Sequence, residues 1–221
     1  MVDMAVLKAD NAARWAQATP TRNFVSVAKS LVADAAKVQY TTVQNYTGVP
    51  WFVIAVLHER ESDQCWTASL AQGDPWNVVS THVPKGRGPF QSWVAAAIDA
   101  LINCSPYAAN NKDWSVGGTL TLLEQYNGLG YAARDIASPY VWSGTDQYAS
   151  GKFIADHIFR ADVIDVQMGC AGLLMAMSKL DPSVTVGGAP VIATPISPQP
   201  DVVASTEPKP IWGAWLKSWF T

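Results

Sequence analysis

A mainly helical α+β domain with one small β-hairpin region is the fold class this sequence predicts, and three observations carry it. A run from Val49 to Leu57 is apolar on every side, as a helix buried at a domain centre reads. Apolar stripes at helical spacing recur elsewhere, in Phe24, Val27, Leu31 and Ala35 and again in Trp93, Ala97 and Leu101. Strand-like alternation is confined to one short stretch, where Val79, Thr81 and Val83 alternate with Ser80 and His82.

Taken in order, residues 11–39 read as two helices broken near Thr19-Pro20, and Tyr40 to Gly48 as a polar connector. Pro50 suits a helix start, where its missing donor would be unpaired anyway. The helix that follows turns polar at His58 to Gln64. Turn residues Gly73-Asp74-Pro75 and Pro84 to Pro89 bracket the expected hairpin strand. Helices are predicted over Phe90–Asn103 and Trp114–Tyr126, with a glycine-rich turn at Asn127–Tyr131. Ser138–Phe159 reads as loops with one short helix, and Ala161–Leu180 as a long apolar helix. No internal repeat is present. From Asp181 proline recurs and aromatics vanish. The expected organisation is a catalytic domain over 1–180, a flexible proline-rich linker over 181–210 and a short amphipathic tail over 211–221.

Bulk properties narrow the function classes. A chain of 221 residues, 49% apolar, has material for a sizeable core. Fifteen lysines and arginines stand against 18 acids, so no basic surplus points to nucleic acid. Cys65, Cys104 and Cys170 are odd in number and lack paired short spacing, which reads as free buried thiols and not as a disulfide scaffold or zinc knuckle. His58-Glu59 begins like a zinc-protease motif, but Ser62 stands where the second histidine belongs; with three histidines in all, no metal and no cofactor is expected. Acids flank the short apolar run in residues 1–10, unlike a signal peptide, so synthesis in the cytoplasm is expected.

Glu61 is the leading chemical candidate. Cleaving a glycosidic bond needs an acid still protonated near neutral pH, and a carboxyl at the mouth of an apolar helix meets that need. Pattern alone favours an exposed helix-end glutamate. Glu59 is a rival two residues away, and a regular helix cannot aim both into one cleft.

Several segments, in order, carry a resemblance. Gly48-Val49-Pro50-Trp51-Phe52-Val53-Ile54-Ala55, leading to His58 and Glu61, resembles the catalytic helix of phage and bacterial peptidoglycan hydrolases of the lysozyme superfamily. Gln72-Gly73-Asp74-Pro75 with Val83 to Phe90, Glu124 to Tyr131 with Ser138 to Ser143, and Tyr148 with Gly151-Lys152-Phe153 and Ala155-Asp156 extend the likeness over about residues 45–177. More distantly, Glu61-Ser62 and Tyr126-Asn127 are similar to elements of lytic transglycosylases and goose-type lysozymes. The sequence departs from the group at Cys65-Trp66, in the heavily charged His58-Glu59-Arg60, and in a shorter segment between Gly86 and Phe90.

The resemblance implies a lysozyme-like fold and cleavage of the β-1,4 bond between N-acetylmuramic acid and N-acetylglucosamine. Glu61 would be the general acid, Asp74 and Thr81 would hold or activate a water, and Tyr126 and Asn127 would contact the acetamido sugar. Tyr140, Trp142 and Tyr148 are read either as sugar-stacking rings or as core. Hydrolysis of muramidase type is the first expectation, with anhydro-sugar formation and a non-catalytic glycan-binding or scaffold protein as alternatives; chitin or chitosan is a less favoured substrate. An enzyme of this kind acts on the cell wall after release through a holin-type membrane hole. In the tail, Ile211, Trp212, Trp215, Leu216, Trp219 and Phe220 share one helical face, fit for a membrane interface, a partner groove or the chain's own domain.

Overall fold

The apolar run after Pro50 is a helix buried without a break from Trp51 to His58 in the computed structural model, which describes residues 2–71, 73–155 and 157–188. The described chain is mainly helical, with one small two-stranded antiparallel sheet. It divides into two compact units, residues 37–110 and residues 2–36 with 111–188. None of its helices is long and apolar enough to cross a membrane.

In the unit of residues 37–110, most of α3 (Asp34–Thr47) is followed by α4 (Trp51–Ser62), a long irregular segment, α5 (Trp93–Asn103) and a short 3-10 turn at Ala108–Asn110. The segment Tyr40–Gly48, read as a connector, lies largely within a helix. Tyr40, Val43, Gln44 and Thr47 are its buried face, an i, i+3, i+4, i+7 stripe that its polar composition conceals. Gln44 explains the burial of a polar side chain. Pro50 has no side-chain oxygen with which to cap α4, and Gln44 Oε1 accepts the Trp51 N–H at 2.7 Å instead. At the other end Asp63 turns left-handed (φ 54), its N–H returning to the Glu59 carbonyl while Gln64 N–H reaches that of His58.

The expected strand over Val79–Val83 is irregular chain. Val79 and Val83 are exposed at 51% and 39%, so the alternation has no apolar face to bury. The segment is instead fastened by point contacts. Trp76 Nε1 donates to the Trp66 carbonyl at 2.8 Å, and Arg87 forks onto the Asp99 carboxylate of α5.

The other unit contains α1 (Met4–Gln17), α2 (Val25–Leu31), α6 (Val116–Tyr126), α7 (Pro139–Trp142), strands β1 (Lys152–Ala155) and β2 (Ile158–Arg160), and α8 (Cys170–Leu180). Asp3 caps α1 by accepting from the Ala5 and Val6 amides, and Ser115 caps α6 through the Gly118 amide. The strands fall inside the stretch expected to be loops and one short helix. Phe153 pairs with Phe159 across them, and both rings meet Tyr131 edge-on. The long helix expected from Ala161 begins only at Cys170. Ile164 and Val166 are exposed while Asp165 between them is buried, a pattern without helical period. The tail over 211–221 and the linker from 189 to 210 lie outside the described residues.

Helix α1 lies against α6, and Gly117 permits the close approach. A Cβ there would fall well inside contact distance of the Lys8 carbonyl. Gly117→Ala is therefore expected to lower stability by about 1–3 kcal/mol despite alanine's better helix propensity, because backbone and not a flexible side chain must move. A urea titration checks this, and an unchanged midpoint refutes the close-packing account.

None of the three cysteines forms a disulfide. Cys104 and Cys170 are buried, whereas Cys65 is half-buried, and burial pushes the Cys104 thiol up to about 11.

Candidate active site

Glu61 sits in the last turn of α4 with 7% of its surface exposed, so the helix ends on a buried and not an exposed glutamate. One turn earlier, His58 is wholly buried, its ring against Trp66 and Trp93 at centroid distances of 4.5 and 4.7 Å. Tyr40 of α3 stacks on Trp66 and shares a 3.0 Å hydrogen bond between its hydroxyl and His58 Nδ1. Burial, with the Glu59 charge adding to it, raises the Tyr40 phenol, so its O–H donates and Nδ1 accepts. Burial also lowers His58 from its ordinary 6.5 to about 4, with the Cys65 backbone acting weakly against it. The imidazole is thus neutral at physiological pH. Ser62 Oγ donates to the His58 carbonyl at 3.1 Å, closing the turn that carries Glu61.

Glu59, the rival, is half-buried and accepts from Gln64 Nε2 at 2.7 Å. Burial raises its pKa, the Gln64 bond and the Arg60 charge pull it down, and the Asp63 charge pushes it up.

The structure brings Asp74 and the backbone of Thr81 together, with His82 as a third partner. Asp74 Oδ2 accepts from the Thr81 amide at 2.8 Å and the His82 amide at 3.0 Å, while Oδ1 meets His82 Nδ1 at 2.6 Å. Partial burial works to raise the Asp74 pKa, but the bonds from His82 and Thr81 outweigh it and hold the carboxyl below its usual range. Both oxygens are engaged, and the carboxylate is a correspondingly weak base.

Tyr126, Asn127, Tyr140, Trp142 and Tyr148 belong to the other unit. Tyr126 ends α6 and Asn127 caps it, and both are partly exposed. Trp142 has no exposed surface, and its Nε1 donates to Asn11 Oδ1 at 3.1 Å. A ring without an open face cannot stack on a sugar, so Trp142 serves the core. Tyr140 and Tyr148 are likewise buried, and the Tyr148 hydroxyl bridges the Gly151 carbonyl and the Asp165 amide. Among the described residues no group of three or more histidines, cysteines or carboxylates could hold a metal ion.

Three residues of consequence carry no role in the sequence reading. His58 and His82 were weighed only as metal ligands. The signals for them were the three-residue spacing from Glu61 and adjacency to Thr81. Glu124 lies within the quoted Glu124–Tyr131 segment, and its neighbours Leu122 and Leu123 announce a buried helix face. It is buried with α1: Asn11 Nδ2 donates to Thr121 Oγ1 and to Glu124 Oε2 at 3.1 and 3.2 Å, while Glu124 Oε1 has no hydrogen-bond partner among the described residues. Burial pushes Glu124 up to about 7, against the Asn11 bond and the Arg14 charge.

No family model, no curated protein and no solved structure matches the chain.

Proposed function

We propose that the chain is a lysozyme-like peptidoglycan hydrolase, cutting the β-1,4 bond between N-acetylmuramic acid and N-acetylglucosamine with Glu61 as general acid. The observation that carries the reading is the burial of Glu61 at the end of a helix that is apolar from Trp51 to Leu57. The leaving sugar oxygen must receive a proton as its bond to C1 breaks, and a glutamic acid held at the end of a buried helix is a side chain that can give it. Positive charge then develops on the sugar ring and a nucleophile resolves it. On the same reading the enzyme reaches the wall after holin-type release.

Turbidity clearing of purified peptidoglycan by the wild type and by Glu61→Gln tests this, with mass spectrometry of the soluble fragments. The expected result is clearing by the wild type alone, with reducing ends that carry an added water. Fragments lighter by one water would assign the same acid to a transglycosylase. No clearing by folded wild type would overturn the enzyme reading in favour of a glycan-binding or scaffold protein.

A further inference from the structure

The contacts of Asp74 point past it to a neighbour. We infer that His82 is the general base of the reaction and that Asp74 is its positioning residue, an assignment that rests on the glycan-cleaving reading with Glu61 as acid. An ionised Asp74 accepts the Nδ1–H of His82, at 2.6 Å, which fixes the tautomer with Nε2 unprotonated and able to take a proton. The same carboxylate also holds the backbone amides of Thr81 and His82, so the ring is anchored at its own main chain as well as at its side chain. His82 is 52% exposed while Asp74 is 13% exposed, so the imidazole stands between the carboxylate and solvent. No hydrogen bond engages Nε2 among the described residues, and the arrangement is a partly buried orienter beside an accessible base.

A chain of contacts ties this loop to the turn that carries Glu61. The Trp76 indole, two residues from Asp74, donates to the Trp66 carbonyl, and the Trp66 ring packs on His58 one helical turn before Glu61. Asp74 O accepts from the Ser69 amide at 2.8 Å, and Ala68 bridges Pro75, so Asp74 is held against the segment that leaves α4.

The chemistry balances with two groups. Glu61 gives its proton to the glycosidic oxygen as the C1–O bond breaks. His82 Nε2 takes a proton from water as the water oxygen bonds to C1, giving a reducing end. The imidazolium then releases that proton to solvent, and Glu61 takes one back.

The test is a double-mutant cycle on the full chain, with purified peptidoglycan as substrate and His82→Gln, Asp74→Asn and the double variant compared with wild type and Glu61→Gln. His82→Gln is expected to lower kcat about 10²-fold with KM within twofold, and the double variant to be no slower than the slower single, because Asp74 acts through His82. Azide, a nucleophile with no proton to lose, is expected to restore turnover to His82→Ala as a glycosyl azide. That readout stands if Asp74→Asn fails to fold. Wild-type kcat in His82→Gln, fully additive losses in the cycle, or no azide product from His82→Ala would overturn the assignment. Wild type that cleaves, with Glu61→Gln inactive and His82→Gln unimpaired, overturns this inference alone; inactive wild type overturns the proposed function with it.

Discussion

On the proposed function, Glu61→Gln is expected to lower the rate of glycan cleavage by about 10²–10⁴-fold, the usual contribution of a positioned general acid, while the protein stays folded. A loss of 10³ corresponds to about 4 kcal/mol of transition-state stabilisation. Glutamine keeps the shape of the side chain and can donate a hydrogen bond, but it has no proton to give to a leaving oxygen. KM should therefore change little while kcat collapses. Glu59→Gln is the matched control. That carboxyl is half-buried on the same helix end, engaged by Gln64, and two residues out of phase with Glu61. Its replacement should leave the rate within a few-fold. Should Glu59→Gln be the inactive variant instead, the catalytic acid has been misassigned by two residues. Near-UV circular dichroism of both variants separates lost chemistry from lost fold.

The two compact units should lose stability in opposite directions of pH. His58 is depressed from 6.5 to about 4, so between those values the unfolded chain binds more protons than the native one. Its contribution is complete above pH 6.5 and is lost as pH falls toward 4, about 3 kcal/mol in all. Glu124 is raised from 4.5 to about 7, so the native state holds the extra proton. Its contribution is complete below pH 4.5 and is lost as pH rises to 7, again about 3 kcal/mol. In the intact chain the opposed slopes nearly cancel over this range. Wild-type minus variant curves isolate each group. Glu124→Gln should uncover a protein that weakens toward acid, and His58→Gln one that weakens toward neutral pH. Denaturant titrations at half-unit steps from pH 4 to 7 measure both. Variant curves parallel to wild type would mean that neither group is shifted by its surroundings.

What the sequence disclosed and what it hid follow from one physical distinction. Periodicity registers when a face is apolar, which is why α4, α5 and α6 were legible to within a few residues. It fails where polar side chains are buried because each has a partner. The buried face of α3 includes Gln44 and Thr47, and nothing local announces that Gln44 caps the next helix. In the opposite sense, Val79 and Val83 alternate correctly for a strand yet have no neighbour to pair with, since pairing is a tertiary fact. Ile164 and Val166 misled the reading of α8 in the same way. Of the candidate site, Glu61 could be placed at the end of an apolar run, but pattern alone favoured an exposed glutamate there, and its burial is a tertiary fact. The Asp74–His82 contact could not, because a residue type at a turn carries no record of which oxygen it will offer and to whom. Trp142 shows the converse: an aromatic in a polar, small-residue stretch can equally be the largest fully buried ring, held through Asn11 of a helix more than a hundred residues earlier.

The thiols offer a practical handle. A reagent that needs an accessible sulfur meets Cys65, half-buried, whereas Cys104 and Cys170 lie inside, and the raised pKa of Cys104 leaves it almost wholly in the unreactive thiol form. Maleimide chemistry on the unmodified protein should thus attach one fluorophore, and without any engineered cysteine. Its position is fortunate: Cys65 follows the end of α4 by three residues and precedes Trp66, an indole able to quench a nearby dye. On the proposed function, glycan binding beside Glu61 would be visible as a change in emission, and the same readout would serve for Glu61→Gln, which is expected not to turn over.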